Sequence, residues 1–380
     1  MELFKKFSNL FDINIIKQLS NKDILISSSN QIKIYSIETF EKIYYFKEIE
    51  SPITSIKSIC EIIFSKKNEI LLGISLSDFS IQIIKLVKRI KSLDFKKKLS
   101  SFYRHELLQT IGIQKNNNVE NIYCINSFLN YLIIGINNKI QYYINKGEKK
   151  INFAKEKEYK INPKLKQKGN YYQRIRGISP IIFKKNNLLL IIEEIQIVKK
   201  YDLKIYFFKN FELITHFSDI YLYPDKSITS LMTNSDRKEI FFILGDKYDR
   251  IMIVKLFDDM EIYENINLSK IIKELSFNKN NRSDNYEIKS VCGLNDGSFV
   301  ICLYYKEINH EKNYIIRGKI NNTTKKFELL YINDNVHNNK SNFITFSIMI
   351  KNNKKIEKEY FVSGDHEGMI KIWNLKTNFK

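Results

Sequence analysis

The chain has 380 residues, of which 43% are apolar, and its formal net charge is +20 at pH 7. That length and apolar content allow a sizeable core, either in two or three domains or in one large β assembly. No segment approaches the ~20 apolar residues that a helix needs to span a bilayer, so the composition excludes a helical membrane protein. Because Phe and Tyr number 26 and 23 while Gly and Pro number only 12 and 4, we predict an all-β fold.

The positive charge has two interpretations. Clusters of Lys and Arg gain affinity for phosphates by releasing counterions, which would indicate an acidic partner. However, only eight of the 62 basic residues are Arg, and the accompanying excess of Lys, Asn, Ile, Phe and Tyr is what an AT-rich genome imposes on any protein. We favour this compositional explanation, because phosphate recognition usually relies on the forked donors of Arg.

The four cysteines have no CxxC spacing and lie in apolar runs, at Cys60, Cys124, Cys292 and Cys302. This pattern indicates neither a zinc ribbon nor a disulfide framework, and we expect a reducing compartment. The N-terminal residues lack the apolar run and the small-residue cleavage site of a secretory signal. We therefore expect a cytoplasmic protein, with the nucleus as the alternative location.

Similar pairs of strands joined by short turns recur along the chain. The apolar alternation that indicates them appears in seven units, at residues 24–37, 70–86, 131–144, 188–208, 240–256, 299–320 and 360–375. One position in each unit aligns with the single tryptophan of the last unit, and in chain order these positions are Tyr35, Ile84, Tyr143, Tyr206, Val254, Gly318 and Trp373. We predict seven repeats that share one strand arrangement.

The last unit is the most informative of the seven. Residues 360–363 form a β-branched and aromatic run, residues 364–368 form a turn cluster in which glycine supplies positive φ, and residues 369–375 alternate as a half-buried strand does. This unit resembles the end of a WD repeat. The residues at the positions typical of that family are Ser363, Glu367, Gly368, Trp373 and Asn374.

The resemblance implies structural roles for four residues. In many WD repeats a loop His, a strand Ser or Thr, a turn Asp and the Trp indole form a chain of hydrogen bonds that satisfies buried polar groups. The residues that match these roles are His337, Ser363, Glu367 and Trp373. Here Glu stands where the family has Asp.

The resemblance also implies that residues 1–380 form a single seven-bladed β-propeller. Because Trp373 lies seven residues from the C-terminus, its strand is the third of the last blade, and residues 3–10 would supply the fourth. Residues 13–17 would then open the first blade. A physical reason supports this closure, since an open ring would leave two exposed strand edges.

The spacing between the aligned positions exceeds the ~40–45 residues of a lean four-stranded blade. Several connections must therefore carry insertions. We expect them near residues 87–105, 145–172 and 267–285, the last with helical spacing over residues 268–275.

The first insertion combines basic with aromatic residues. Its candidate anion-binding residues are Lys88, Arg89, Lys96, Lys97 and Lys98. They are interleaved with Phe95, Phe102 and Tyr103, and the mixture could bind RNA through charge and stacking. We favour a solvated loop of a lysine-rich protein as the explanation.

A second candidate anion site is the pair Arg174 and Arg176. It resembles the paired arginines of phosphoinositide-binding propellers, and residues two apart on a strand share a face. Both guanidinium groups would then reach one phosphate. An outward-facing pair at a sheet edge is the favoured alternative.

Motifs for catalysis are missing from the sequence. No GxGxxG, GxxxxGK[ST] or GxSxG occurs, and the successive residues Asp365, His366 and Glu367 would splay outward rather than converge on a metal ion. We expect no cofactor and no metal. The predicted function is a non-catalytic scaffold that binds proteins or peptides on the top face of the propeller, and the alternative is a propeller whose basic loops bind RNA or an anionic phosphoinositide membrane.

Overall fold

The computed structural model describes most of the chain. The described residues are 2–8, 13, 15–28, 30–36, 39–46, 55–62, 69–91, 100–113, 122–137, 139–147, 151–160, 173–183, 186–195, 200–220, 228–233, 240–245, 250–256, 261–267, 286–294, 297–307, 310–321, 326–334, 336–337, 343–352, 356–365 and 367–374. Their strands form seven antiparallel sheets of four strands each. The predicted all-β class is confirmed.

The first strand of the chain is β1 (Glu2–Ser8). The compact unit Lys17–Ile220 contains the next four sheets, apart from residues 15–16 at the start of the first. The first sheet consists of β2 (Ile15–Gln18), β3 (Ile24–Ser27), β4 (Ile32–Tyr35) and β5 (Lys42–Phe46). The second consists of β6 (Ile56–Ile62), β7 (Glu69–Leu76), β8 (Ser80–Lys91) and β9 (Ser100–Gly112). The third consists of β10 (Ile122–Phe128), β11 (Tyr131–Ile136), β12 (Lys139–Asn145) and β13 (Phe153–Lys160). The fourth consists of β14 (Gln173–Phe183), β15 (Asn186–Ile195), β16 (Lys200–Phe207) and β17 (Leu213–Ile220).

A second compact unit, formed by Met1–Ile16 with Tyr221–Lys380, contains the remaining three sheets. The fifth sheet consists of β18 (Ile228–Thr233), β19 (Ile240–Gly245), β20 (Arg250–Leu256) and β21 (Glu261–Asn267). The sixth consists of β22 (Tyr286–Gly293), β23 (Ser298–Glu307), β24 (His310–Ile320) and β25 (Phe327–Asp334). The seventh joins β26 (Phe343–Asn352), β27 (Ile356–Asp365) and β28 (Met369–Asn374) to β1, in the order β1-β28-β27-β26.

The N-terminal strand thus belongs to the same sheet as the C-terminal strands. β1 runs antiparallel to β28, from the pair Glu2–Asn374 to the pair Ser8–Met369. β1 is the fourth strand of this sheet. In each of the other sheets, the fourth strand directly follows the third along the chain. The backbone groups along the outer side of β28 are therefore paired within the chain.

A one-residue register shift recurs between the third and fourth strands of all seven sheets. In the seventh sheet Trp373 pairs with Leu3 while Ile372 pairs with Lys5, so Phe4 is an extra residue on β1. In each of the other six sheets the shift falls directly before the residue that the sequence aligns with Trp373. The predicted equivalence of the seven positions is confirmed.

Consecutive sheets within each unit pack their apolar faces together. One cluster joins the second sheet to the third, another joins the third to the fourth, and a third joins the sixth to the seventh. The approach is close where a strand carries glycine: a Cβ added to Gly135 of the third sheet would lie 2.7 Å from Cys124 Sγ and 2.9 Å from an Ile175 methyl of the fourth sheet. The small residue permits this separation between the two sheets.

Two predicted insertions contain strands that belong to sheets. Residues 87–91 continue β8 and residues 100–105 lie in β9, so only residues 92–99 separate the two strands. The segment 145–172 contains β13, which is the fourth strand of the third sheet. The sequence prediction treated both as loops because Lys and Glu interrupt their apolar alternation. The predicted helix at 268–275 lies outside the described residues.

Gly318, the residue of the sixth sheet that aligns with Trp373, provides a stability test. A Cβ at this position would overlap the ring of Phe327, which comes from β25. We expect Gly318→Ala to lower the free energy of unfolding by about 1–3 kcal/mol, because overpacking forces neighbouring groups to move. Urea denaturation of the purified chain measures the change.

Gly112→Ala is the matched control for this substitution. Gly112 also lies in a strand, but nothing is within 4 Å of the Cβ that it would gain. Its stability should stay within about 0.5 kcal/mol of the wild type. Equal stability of the two variants would contradict the proposed role of Phe327 in filling this position.

Candidate functional site

A buried cluster of four polar side chains lies on the seventh sheet and in the segment that precedes it. Ser363 and Asp365 are two residues apart on β27, so their side chains lie on the same face of the strand. Trp373 lies on the neighbouring strand β28, and His337 lies between β25 and β26. Strand alternation and hairpin pairing therefore bring residues from three segments together.

The four side chains form a continuous chain of hydrogen bonds. Trp373 Nε1–H donates to Ser363 Oγ at 2.9 Å, and Ser363 Oγ lies 2.7 Å from His337 Nε2. His337 Nδ1 lies 2.7 Å from Asp365 Oδ2. Because the Asp365 carboxylate can only accept, the imidazole proton lies on Nδ1, and the unprotonated Nε2 accepts the hydroxyl proton of Ser363.

The ends of this chain are fixed by the backbone. Asp365 Oδ1 accepts a hydrogen bond from the Met369 backbone N–H at 2.8 Å, across the turn that joins β27 to β28. Asn313 of the sixth sheet donates its side-chain N–H to the His337 carbonyl at 3.1 Å, and Lys371 donates to the Val336 carbonyl. The cluster therefore ties the segment before the seventh sheet to two neighbouring sheets.

The acidic member of the chain differs from the prediction. Glu367, the residue predicted for this role, lies exposed in the turn after β27, and Asp365 binds the imidazole instead. Asp365 lies two residues after Ser363, on the same face of β27, and is the last residue of that strand. Glu367 lies beyond the end of the strand. Counting two residues onward from Ser363 would have identified Asp365.

The order Ser363, His337, Asp365 has the connectivity of a hydrolase triad. A nucleophilic serine needs an exposed oxygen and a site next to it for substrate. Ser363 is 0% exposed, and its oxygen already accepts the Trp373 N–H. This arrangement satisfies buried polar groups, and its role is to stabilise the sheet.

The predicted anion-binding residue Lys88 has a different role. Its Nζ lies 2.9 Å from Asp23 Oδ2, and the carboxylate also accepts a hydrogen bond from the Tyr103 hydroxyl at 2.6 Å. Asp23 is only 1% exposed. Lys88 therefore neutralises a buried carboxylate that joins the first sheet to the second, and its charge is committed within the fold.

This buried network could not be read from the sequence. Asp23 precedes β3, whereas Tyr103 lies 80 residues later on β9. No local motif connects them, because only the pairing of sheets brings them together. The same holds for the buried ion pair of Glu193 with Lys204 on adjacent strands of the fourth sheet.

The other predicted anion-binding residues do not share one location in the structure. Arg89 is exposed on β8, and Lys96, Lys97 and Lys98 lie outside the described residues. Arg174 pairs with Glu194 in the register of β14 with β15, but the register shifts between Ile175 and Gly177, so Arg176 is an extra residue. The regular alternation that underlies the paired-arginine hypothesis is interrupted there.

The structure shows no metal or disulfide chemistry in its described part. All four cysteines are free thiols. Among the described residues, no group of three His, Cys, Asp or Glu side chains could hold a metal ion. Within the same residues, no helix has the length and apolar character required to cross a membrane.

Comparison with known proteins identifies the fold. No family model and no curated protein matches the sequence. Among solved structures, the chain is similar to Saccharomyces cerevisiae Sqt1, with a TM-score of 0.55 and 10% identity over 99% of this chain and 100% of that one. It is also similar to the WD40 domain of SCAP from fission yeast, with a TM-score of 0.54 and 11% identity over 96% and 82% of the two chains. For the Dos1 propeller the TM-score is 0.52 and the identity 13%, over 99% and 85%.

These similarities establish the fold as a β-propeller with WD40 propellers as its structural neighbours. The resemblance that the last sequence unit indicated is therefore confirmed. Identities of 10–13% show a shared fold only. They do not transfer a function to this chain.

The pH dependence of stability tests the buried chain of hydrogen bonds. Burial lowers the pKa of His337, and the Asp365 carboxylate opposes this effect only in part. Above about pH 6.5 the imidazole is neutral in both folded and unfolded states. Below that pH the unfolded state binds a proton that the folded state resists, so stability should fall by up to about 1.4 kcal/mol per pH unit.

Urea denaturation between about pH 7.5 and pH 5.5 measures this slope, in the range of histidine titration. His337→Gln should be less stable at pH 7.5 but should show a smaller loss on acidification, since the titrating imidazole is gone. Identical pH slopes for the variant and the wild type would mean that His337 does not resist protonation in the folded chain.

Proposed function

We propose that this chain is a non-catalytic scaffold for protein–protein interaction, built as one closed propeller of seven blades. The observation that carries the proposal is the shared construction of seven four-stranded sheets, the last of which is completed by the N-terminal strand. The three structural neighbours named above, which include a WD40 domain and a propeller, also support it. On this proposal, partners bind turns held by rigid sheets, with little conformational change.

The character of the one buried polar cluster on the seventh sheet supports a non-catalytic role. Its serine is enclosed, and its histidine has both ring nitrogens engaged. Side chains that are already satisfied inside the sheet leave no group for proton transfer to a substrate. On this proposal, partners bind the turns between strands.

We propose that partners bind at one end of the sheets. In the third sheet, the turn after β11 lies at the same end as the C-terminus of β13, where Lys139 pairs with Lys160. The turn that joins β12 to β13, which contains Lys146, lies at the opposite end. We propose the first of these ends as the binding end, the top face of the predicted propeller.

Cross-linking tests the proposed binding end. The tagged chain is purified from its native cells, treated with a lysine-reactive cross-linker, and analysed by mass spectrometry. We expect partner peptides attached to Lys139 or Lys160, because those side chains lie at the proposed end. Partner cross-links restricted to Lys146 would place binding at the opposite end, and the absence of any reproducible protein partner would contradict the scaffold function.

Deletion of β1 tests the closed ring. If the sheets form one ring, removing residues 1–8 exposes an edge on β28 and removes the link that completes the ring. We expect a lower midpoint of thermal unfolding and the separation of a single transition into two, measured by calorimetry. A chain in which a Gly-Ser segment of equal length replaces β1 controls for length.

The closed ring would be contradicted if the wild type itself unfolded in two independent transitions that the deletion left unchanged. The scaffold function would survive that result, since the cross-linking experiment does not depend on closure.

A further inference from the structure

The third and fourth strands of the second sheet extend into a basic two-stranded ribbon. The described part of β7 pairs with β8 only as far as Val87, whereas β8 and β9 remain paired from Lys88–Tyr103 to Lys91–Ser100. These strands of 12 and 13 residues are longer than β6 and β7, with 7 and 8. We call residues 87–91 with 100–104 the basic ribbon.

One face of the basic ribbon is anchored to the first sheet. Lys88 and Tyr103 form a cross-strand pair on this face, and both contact the buried carboxylate of Asp23. The Tyr103 ring also packs edge-on against Tyr44, with centroids 6.2 Å apart. A hydrogen-bonded ion pair and an aromatic contact therefore fix the position of the ribbon.

The opposite face is exposed and carries two of the eight arginines of the chain. Arg89 pairs with Phe102, and the next pair on the same face is Val87 with Arg104. The Arg104 guanidinium lies 6.0 Å from the centre of the half-buried Phe102 ring. The Arg104 guanidinium thus lies beside an aromatic ring, and the strand register places Arg89 directly across from the same residue.

Neither arginine is neutralised by an acidic residue in the described part of the chain. Among the described acidic residues, Glu106 is the closest in register. Its carboxylate lies 4.0 Å from Lys85 Nζ, and the same Nζ lies 3.2 Å from a carboxylate oxygen of Glu69. Glu106 is therefore in contact with Lys85, although this group of two carboxylates and one ammonium keeps a formal charge of −1. As far as the described residues go, no ion pair engages the forked donors of Arg89 and Arg104, and we take them as the groups that meet an external anion.

We propose that the exposed face of the basic ribbon binds single-stranded RNA. A base stacks on the Phe102 ring or on the Arg104 guanidinium plane, and Arg89 and Arg104 donate hydrogen bonds to the flanking phosphates. The face fits RNA better than a membrane, because its ring lies half-buried beside the Arg104 guanidinium rather than projecting as an apolar wedge. This function is additional to protein scaffolding and does not depend on it.

Fluorescence anisotropy with a labelled oligouridine of about 12 nucleotides tests the proposal on the full chain. The wild type should bind, and Phe102→Ala should weaken binding at least about fivefold, the lower range for loss of one stacked base. Arg89→Gln with Arg104→Gln should reduce the slope of log K against log salt by about 1.4, because two phosphate contacts are lost from a single strand.

A matched pair of substitutions controls for net charge. Lys157→Gln with Lys209→Gln removes two exposed cations that lie outside the ribbon, one on β13 and one between β16 and β17. This control should bind RNA nearly as well as the wild type. Equal weakening by the control and the arginine variants would overturn the proposal, since binding would then follow net charge alone.

Two further outcomes would also overturn the RNA proposal. One is the absence of oligouridine binding by the wild type at about 50 mM salt, where phosphate contacts are strong. The other is binding to vesicles that contain anionic phosphoinositide, lost in the arginine variants, without binding to the RNA. Unfolding of each variant at the same temperature midpoint as the wild type establishes that the substitutions leave the fold intact.

Discussion

The structure depends on a constraint in the backbone. Beside the position aligned with Trp373, the fourth strand of every sheet contains one residue more than the third strand opposite it. Such a bulge bends the strand and increases its twist. Apolar faces of twisted sheets pack together only where their side chains and twist are compatible. The recurrence of the shift in all seven sheets therefore explains why sequences with little identity to one another build equivalent sheets.

The residue beside the bulge has to fill the same space in each sheet, and the chain fills it in different ways. In the seventh sheet the indole of Trp373 also satisfies Ser363. In the third sheet Tyr143 donates its hydroxyl to Gln141 at 3.0 Å, and in the fourth Tyr206 stacks on Phe211 with ring centres 4.3 Å apart. In the sixth sheet the ring comes from the opposite strand, because Phe327 occupies the space beside Gly318. The shape of the site is kept while the residue varies, as expected when packing sets the requirement.

The difference between local strand patterns and contacts made by packing explains how far the sequence could predict the structure. The seven aligned positions were identified because β-strand alternation is a local property, readable over a few residues around Tyr35 or Trp373. The contacts of Asp23 were not, since Tyr103 and Lys88 reach it only after two sheets have packed. Arg176 shows a third case: its position in the strand was predicted, but the bulge that displaces it from regular pairing depends on the facing strand β15.

The net charge of +20 alone says little about function, because the role of each cation depends on its place in the fold. Lys88 and Arg89 are consecutive residues, yet strand alternation directs them to opposite faces of one ribbon. Lys88 is used within the fold, where it neutralises a carboxylate that burial would otherwise destabilise. Arg89 lies on the exposed face, beside a ring and a second guanidinium. Whether a cation stabilises the fold or meets a partner is therefore decided residue by residue, by the face it occupies and the carboxylates within reach.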